Sequence, residues 1–529
     1  MKLLKLKIIK AETCGGLLDG LVVPFRANKA DTSLFSPLCL IGPNGTGKSQ
    51  VLQLIAEIFQ AVFHKYLGEE EQGKPNDKIE FEIEYLINLE NNTTEYVRIS
   101  RRKEGRKKAN IVLERYIEDN WAIVDDLELI PQLLPTKVIG YTSGDNETLS
   151  IPFFVSRAGY ARQVRENARD DDKRSLPIQD TRMLLIDYST NLEVLVANLL
   201  LNSTDIRKAL LEASNLKELR SFRCIIQLKY GTGSSKIVEL TDELRTYIDD
   251  LQRSSTCFQF DSKNQKYTFD FFISDATHKA FHKYWQSALK LYSCFHKLAM
   301  LNDLVIPSTA RKSFIKGIES RHFSTRLPEP LEEHKVFRFE RVEFISQKSD
   351  KPVDYVSLSD GEHQFAQLLG TMCMASFPNV LFLLDEPESH FNPKWRVEFI
   401  SKILEFPTCG GEREKLSDVA QQDCLITTHS PFVPSDMKSE NVLIFSKNKE
   451  IDMIEVRHPQ IQTFGSKFDA ILAECFNISP PISALSRDRV SQLLENGSKE
   501  QIVQAMTELG ESTAKMRLAA KLSLLQGES

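Results

Sequence analysis

The octapeptide Gly42-Pro43-Asn44-Gly45-Thr46-Gly47-Lys48-Ser49 constrains this chain more than any other segment. It follows a short apolar run, Leu38–Ile41. It precedes a stretch from Gln50 to Leu67 in which Val51, Leu54, Ile55, Ile58, Phe59 and Val62 recur at helical spacing. Strand, glycine-rich turn and helix in that order make a phosphate-binding loop. Glycines let backbone N–H groups turn inward around a phosphate, and the helix N-terminus adds positive potential at the same place. In the pattern G-x-x-x-x-G-K-S, residues Gly42, Pro43, Asn44, Gly45, Thr46 and Gly47 form the cradle. Lys48 is then placed for the β/γ-phosphate oxygens and the Ser49 hydroxyl for Mg²⁺.

Three further segments fit that loop. The run Val380–Leu384 reads as a fully buried parallel strand, and it ends in Asp385, Glu386 and Pro387. Asp385 is placed for the Mg²⁺ shell and Glu386 to polarise an attacking water. Upstream, Ser357-Leu358-Ser359-Asp360-Gly361-Glu362 opens an apolar helix; Ser359 and Gly361 at a helix N-terminus make a second anion site. Downstream, Thr427-Thr428-His429-Ser430-Pro431 closes another buried strand, where His429 can sense a γ-phosphate by hydrogen bonding.

Composition agrees with a globular chain and narrows its class. A length of 529 residues allows about three structural units. The net charge of −6 argues against a generally basic nucleic-acid binder, though not against a local basic patch. No apolar run reaches the ~18 residues of a membrane span. The nine cysteines are scattered without a Cys-x-x-Cys pair, as expected of buried thiols in a reducing cytosol.

Paired strands are expected at Leu4–Ile9 and Leu21–Phe25, and a small antiparallel sheet with hairpins from Ile79–Ile87, Tyr96–Ser100, Ile111–Tyr116 and Trp121–Val124. Lys137–Tyr141 is another short strand. Long helical patterns at Leu184–Leu201 and Ala276–Leu301 mark a change of texture, with shorter strand-like pieces between them. Strands return at Val336–Ile345, Cys424–Thr427 and Val442–Phe445. The polar stretch Gly410–Gln422 reads as a surface loop, and the end of the chain as helices, with a capping box at Ser498. The expected division is an N-terminal lobe at 1–155, a mainly helical insertion at 156–335, a second lobe at 336–465 and a helical tail at 466–529.

The order of phosphate loop, Leu-Ser-Asp-Gly-Glu, Asp-Glu-Pro and Thr-His-Ser-Pro resembles the ABC-type ATPase heads. With Glu388-Ser389-His390-Phe391-Asn392-Pro393 it is similar to the branch that holds RecF, the SMC proteins and the OLD-family ATPases. The resemblance covers roughly 1–155 and 336–465. It implies an α/β head with a parallel-sheet core and an antiparallel subdomain, and ATP and Mg²⁺ as cofactors; slow hydrolysis is expected from the Asp360 carboxylate, which is unfavourable near phosphate. It also implies a homo-oligomer that sandwiches ATP between heads. There Ser359 and Gly361 reach the γ-phosphate held by the partner protomer, Asn392-Pro393 lie in the D-loop, and Glu386 and His429 are catalytic. Asp360 departs from the common glycine, and no glutamine-loop residue is evident after Tyr141-Thr142-Ser143-Gly144.

Within the branch, Gly140–Glu147, Ile151-Pro152-Phe153 and Thr463-Phe464-Gly465-Ser466 resemble the PtuA-like ATPases of Septu antiphage systems, relatives of which occur in some retrons. That likeness implies a separate small HNH nuclease of the PtuB kind as partner, with retron components as further candidates. The alternative is a RecF-like repair ATPase. The basic run at 98–108 suits a DNA or RNA phosphate backbone, whereas Arg157, Arg162, Arg165 and Arg169 form a second basic cluster that Asp170-Asp171-Asp172 follow at once, and read mainly as solvated surface. No intrinsic nuclease set is evident. The apolar positions Ile502, Val503, Met506, Leu518 and Leu522 of the tail suit a partner groove or packing on the head.

Overall fold

The computed structural model describes the chain apart from residues 27–31, 92, 104–108, 144–147, 187–189, 213, 231–235, 321–329, 410–416, 449, 451–452, 480–481 and 528–529. Parts of the basic run, of the Gly140–Glu147 segment and of the polar loop after Cys409 therefore lie outside the described residues.

The near-continuous apolar runs of the sequence become the centre of a seven-stranded sheet. Its order is Met453–Arg457, Val442–Asn448, Leu38–Ile41, Asp423–Thr428, Val380–Asp385, Lys137–Thr142 and Met183–Ile186. Every neighbouring pair runs parallel except the first, which is an antiparallel edge. Val380–Asp385 and Asp423–Thr428 are buried throughout, which is why they carry no alternation. The order makes the three motif strands neighbours that all point one way. Ligands of open parallel sheets bind outside that carboxyl edge.

The helix Lys48–Tyr66 is buried from Val51 to Phe63 with no exposed face, its polar residues Gln53, Glu57 and Gln60 included. Such a helix must be covered on all sides. One side lies on the parallel sheet. The other meets a six-stranded antiparallel sheet, where Phe59 packs edge-on to Tyr85 at 5.9 Å. That sheet is ordered Val22–Pro24, Lys2–Ala11, Ile79–Asn88, Thr94–Arg102, Asn110–Ile117 and Asn120–Ile123. A buried Arg26–Asp423 ion pair at 2.8 Å ties the first residues after Val22–Pro24 to the base of the central strand.

A five-stranded antiparallel sheet, Cys257–Asp261, Lys266–Phe272, Leu216–Gln227, Phe337–Ser346 and Pro352–Asp354, leads directly into the helix Asp360–Met374. The mainly helical segment 156–335 is thus woven into the head. Met183–Ile186 extends the core sheet, and Leu216–Gln227 is the middle strand of the third sheet.

Several elements differ from expectation. Leu184–Leu201 is not one helix: Met183–Ile186 is a strand and the helix is Asn191–Leu201. A short apolar run carries no period that separates the two. The pattern Ala276–Leu301 breaks at Trp285, giving Asp275–Tyr284 and Ala288–Met300, the second capped by Ser287. Two helices, Ser150–Arg169 and Asp242–Ser254, were not foreseen. At the chain's end, Ala484–Asn496, Lys499–Glu508 and Thr513–Gly527 pack around a small core of their own, containing Val490, Leu493, Ile502, Ala505, Ala514 and Leu518. The Ser498 capping box forms. Among the described residues, no helix is long and apolar enough to cross a membrane.

Candidate active site

The phosphate loop is shaped by a backbone approach that admits no side chain. Gly42 has φ +148°, and a Cβ there would stand 2.1 Å from the carbonyl oxygen of Phe445 on the adjacent strand. Pro43, Asn44 and Gly45 form an exposed crest, while Thr46 is buried and its hydroxyl donates to the Pro43 carbonyl at 2.9 Å. Gly47 precedes the helix at φ +82°. Beneath the crest, the buried Lys48 ammonium donates to the Gly42 and Pro43 carbonyls at 2.9 and 3.0 Å. Burial pulls its pKa down to about 8, although Glu386 and Asp385 pull the other way.

Ser49 lies in the first turn of the helix, and its hydroxyl donates to Asp385 Oδ1 at 2.7 Å. The Thr427 hydroxyl donates to the same oxygen. This follows from register, since Asp385 stands opposite Thr427 in the parallel ladder. Burial raises the Asp385 pKa, and the hydrogen bonds from Thr427 and Ser49 oppose the rise. Two hard oxygen donors converging beside a lysine suit Mg²⁺ and a phosphate. The residues present fit both cofactors.

Glu386 has φ +46°, a conformation that costs a non-glycine residue about 1–2 kcal/mol. Its N–H is fixed by the Thr427 carbonyl and hydroxyl at 3.2 and 3.1 Å. The strained turn sends the Glu386 carboxylate away from Asp385 and towards His429, whose Nε2 lies 3.3 Å from it. That hydrogen bond holds the Glu386 pKa below the usual carboxylate range. Both side chains are partly exposed.

Ser359 and Gly361 have a different setting. Ser359 is exposed and caps Asp360–Met374 in a reciprocal box: its N–H and hydroxyl both donate to Glu362 at 2.8 Å. Gly361 is buried, and a Cβ there would lie 2.9 Å from the His390 carbonyl oxygen. The helix therefore rests on the turn after Pro387. Phe365 reinforces this against Phe391 and Trp395, with ring centroids 5.5 and 5.3 Å apart. Asn392 caps Pro393–Glu405. Gly42 to Ser49, Asp385, Glu386 and His429 thus gather at one sheet edge. Ser359 and Gly361 lie on a surface joined to it through residues 387–392.

Several residues of this site carried no assigned role in the sequence. Thr427 positions both carboxylate residues. The Thr428 hydroxyl donates to Glu388, a buried carboxyl that burial pushes up to about 7. Gln364 reaches from the Ser359 helix to the Ser143 carbonyl at 3.1 Å, at the end of Lys137–Thr142 where a glutamine was missing. The Thr-Thr pair was a usable signal, because parallel register places it beside Asp385.

Family models match two parts of the chain. A model described as "AAA domain (dynein-related subfamily)" matches residues 37–130 and contains the phosphate loop. One described as "AAA domain, putative AbiEii toxin, Type IV TA system" matches residues 253–436 and contains Ser359, Asp385, Glu386 and His429. The chain carries a P-loop ATPase domain. Its general activity is ATP hydrolysis, and the two matches meet where Ser49 touches Asp385. Domains of this kind use ATP with Mg²⁺.

Proposed function

We propose that this P-loop ATPase is the scaffold subunit of a bacterial antiphage complex, holding and regulating a separate HNH nuclease of the PtuB kind. The observation that carries the ATPase part is the convergence of Lys48, Ser49, Asp385, Glu386 and His429 at one edge of the core sheet. Lys48 is placed to neutralise phosphate charge; Ser49 and Asp385 would hold Mg²⁺, which would offset charge on the phosphates. Glu386 orients and deprotonates the attacking water, and His429 keeps Glu386 ionised and aimed. Ser359, exposed at a helix N-terminus, completes the site of a second protomer, so that nucleotide binding controls assembly. The order of the motifs and the family description that names a Type IV TA system support a defence role.

The basic run at 98–108 gives the repair reading less support. Arg98 pairs with Glu114 and lies over the Trp121 ring at 4.1 Å, Arg101 donates to the Asn76 carbonyl, and Arg102 pairs with Glu82. Residues 104–108 of that run are outside the described set. A tagged pull-down from the native host, with and without ATP, tests the proposal. A small HNH protein in the eluate supports it. DNA recovered without a nuclease overturns it in favour of a RecF-like role.

A further inference from the structure

Away from the ATPase edge, three cavities follow one another along the helix Ser150–Arg169. The inner one lies over the edge strand Met183–Ile186 and is walled by Phe153, Phe154, Tyr160, Tyr292 and His296. The next shares Phe154 and Arg157 with it. The outermost shares Arg165, Leu304 and Arg311 with the second. Phe154 and Arg157, then Leu304 and Arg311, make the connecting walls of a single cleft.

Charge is distributed unevenly along this cleft. At the inner end Lys297 lies 2.7 Å from both Asp180 and Glu243, a closed ion triad. Arg157 pairs with Asp303 at 3.2 Å, Arg162 with Glu319 at 3.5 Å and Arg169 with Glu239 at 3.5 Å. Arg165 and Arg311 are different. Arg311 donates to a backbone carbonyl, that of Asp303, at 3.0 Å. Among the described residues, neither arginine has a carboxylate within ion-pair distance. They are near enough that, after burial, Arg165 is the main cause lowering the Arg311 pKa. Two neighbouring guanidinium groups with no carboxylate in ion-pair contact repel one another, and the Asp303 charge offsets that on Arg311 only in part; a phosphate would relieve the rest, and Arg presents a planar fork to it.

We propose that this cleft is a second ligand site, distinct from the phosphate loop, for a nucleoside phosphate, either free or as part of a single strand. The aromatic inner cavity takes the base. There His296 lies parallel to Tyr292 at 5.5 Å, and burial keeps the imidazole neutral, a hydrogen-bonding group rather than a charge. The inner triad of one ammonium and two carboxylates is net negative and disfavours a phosphate, so the phosphate sits outward, on Arg165 and Arg311. Stacking on aromatic rings tolerates any base. Lys137 lines the inner cavity at the start of Lys137–Thr142. The strand's other end borders the ATPase edge, roughly 17 Å away at ordinary strand rise, so the two sites share one element without overlapping.

The test uses the full-length Lys48→Ala protein, in which the phosphate loop is silenced. A fluorescent mononucleotide and a labelled 12-nucleotide single strand serve as probes, read by anisotropy. The expected result is saturable binding of at least one probe, weakened about tenfold or more by adding Arg165→Ala and Arg311→Ala. Ser293→Trp, which fills the inner cavity, weakens it comparably. Equal affinity for both probes identifies a free nucleotide as the source; binding of the strand alone identifies nucleic acid. Absence of binding by either probe overturns the proposal, and so does binding that both arginine substitutions leave unchanged. With Lys48 restored, the double arginine variant hydrolyses ATP at the wild-type rate, which separates this site from the ATPase assignment.

Discussion

The Ser49 hydroxyl and the Asp385 carboxylate meet at 2.7 Å across 336 residues of sequence. The contact exists because Leu38–Ile41, Asp423–Thr428 and Val380–Asp385 are consecutive strands of one parallel sheet. A phosphate loop and an acidic strand end become one site only in that order. Lys48, buried between them, answers to both.

Lys48→Ala is expected to lower ATP affinity by at least about a hundredfold, the loss of two charge-assisted contacts. The wild type also predicts a pH effect. With its pKa near 8, Lys48 is losing its proton in mildly alkaline solution. ATP phosphates favour the ammonium form, so affinity falls as pH rises through 8, and binding takes up protons there. In the nucleotide-free protein the unfolded chain keeps a proton that the folded one has lost between about 8 and the ordinary lysine value. This group's contribution to stability therefore rises with pH across that window. Calorimetry in buffers of different ionisation enthalpy measures the uptake, and no uptake at pH 8 contradicts the assignment.

Glu386→Gln should retain ATP binding and reduce turnover by about 10²-fold or more, the usual contribution of a positioned base. It should also hold the protein in a larger, ATP-dependent assembly on size exclusion. His429→Ala acts through its partner. Without the imidazole hydrogen bond the Glu386 pKa rises towards its ordinary value. The acid limb of the pH–rate profile then moves to higher pH, so the loss of activity is larger in acid than near neutrality. Parallel wild-type and variant profiles would remove His429 from this role.

Gly42 and Gly45 should respond differently to alanine. Both have positive φ, but a Cβ at Gly45 meets open space, whereas one at Gly42 meets the Phe445 backbone at 2.1 Å. Gly45→Ala is expected to cost about 1–2 kcal/mol from backbone strain alone. Gly42→Ala must also separate two hydrogen-bonded strands. Its melting temperature should fall further, and a larger loss for Gly45→Ala would contradict the described packing.

The parts of this structure legible in the sequence are those where one residue type has one use. Gly42 to Ser49, the acids after Val380–Leu384, and Ser498 with Gln501 each announce a local geometry. Glu362 did so only in part: its reciprocal cap on Ser359 follows from spacing, but the burial of Gly361 against His390 depends on a distant turn. Met183–Ile186 was hidden because edge and core strands of a parallel sheet have no alternation. Thr427 was legible in part, through the Thr427-Thr428 pair, whereas Gln364 was hidden because only the tertiary fold brings its helix to the Ser143 carbonyl. The paired Arg165 and Arg311 come from helices far apart in sequence, so a reading of the run 157–169 could not show which arginine lacks an acid.

The tail offers the sharpest test of partner docking. Ile502 and Leu518, expected to face a partner groove, instead fill the core shared by the last three helices. Leu485, Val503, Met516 and Leu524 remain exposed on that unit. A unit with its own core can be removed without opening the head, so deletion of residues 486–529 should leave ATP hydrolysis and thermal stability of the head unchanged. If the tail carries the nuclease, the deletion abolishes co-purification. Val503→Asp with Met516→Asp should do the same while the tail stays folded, because neither side chain belongs to its buried core. Retention of the nuclease by the deletion protein would move the docking surface to the head.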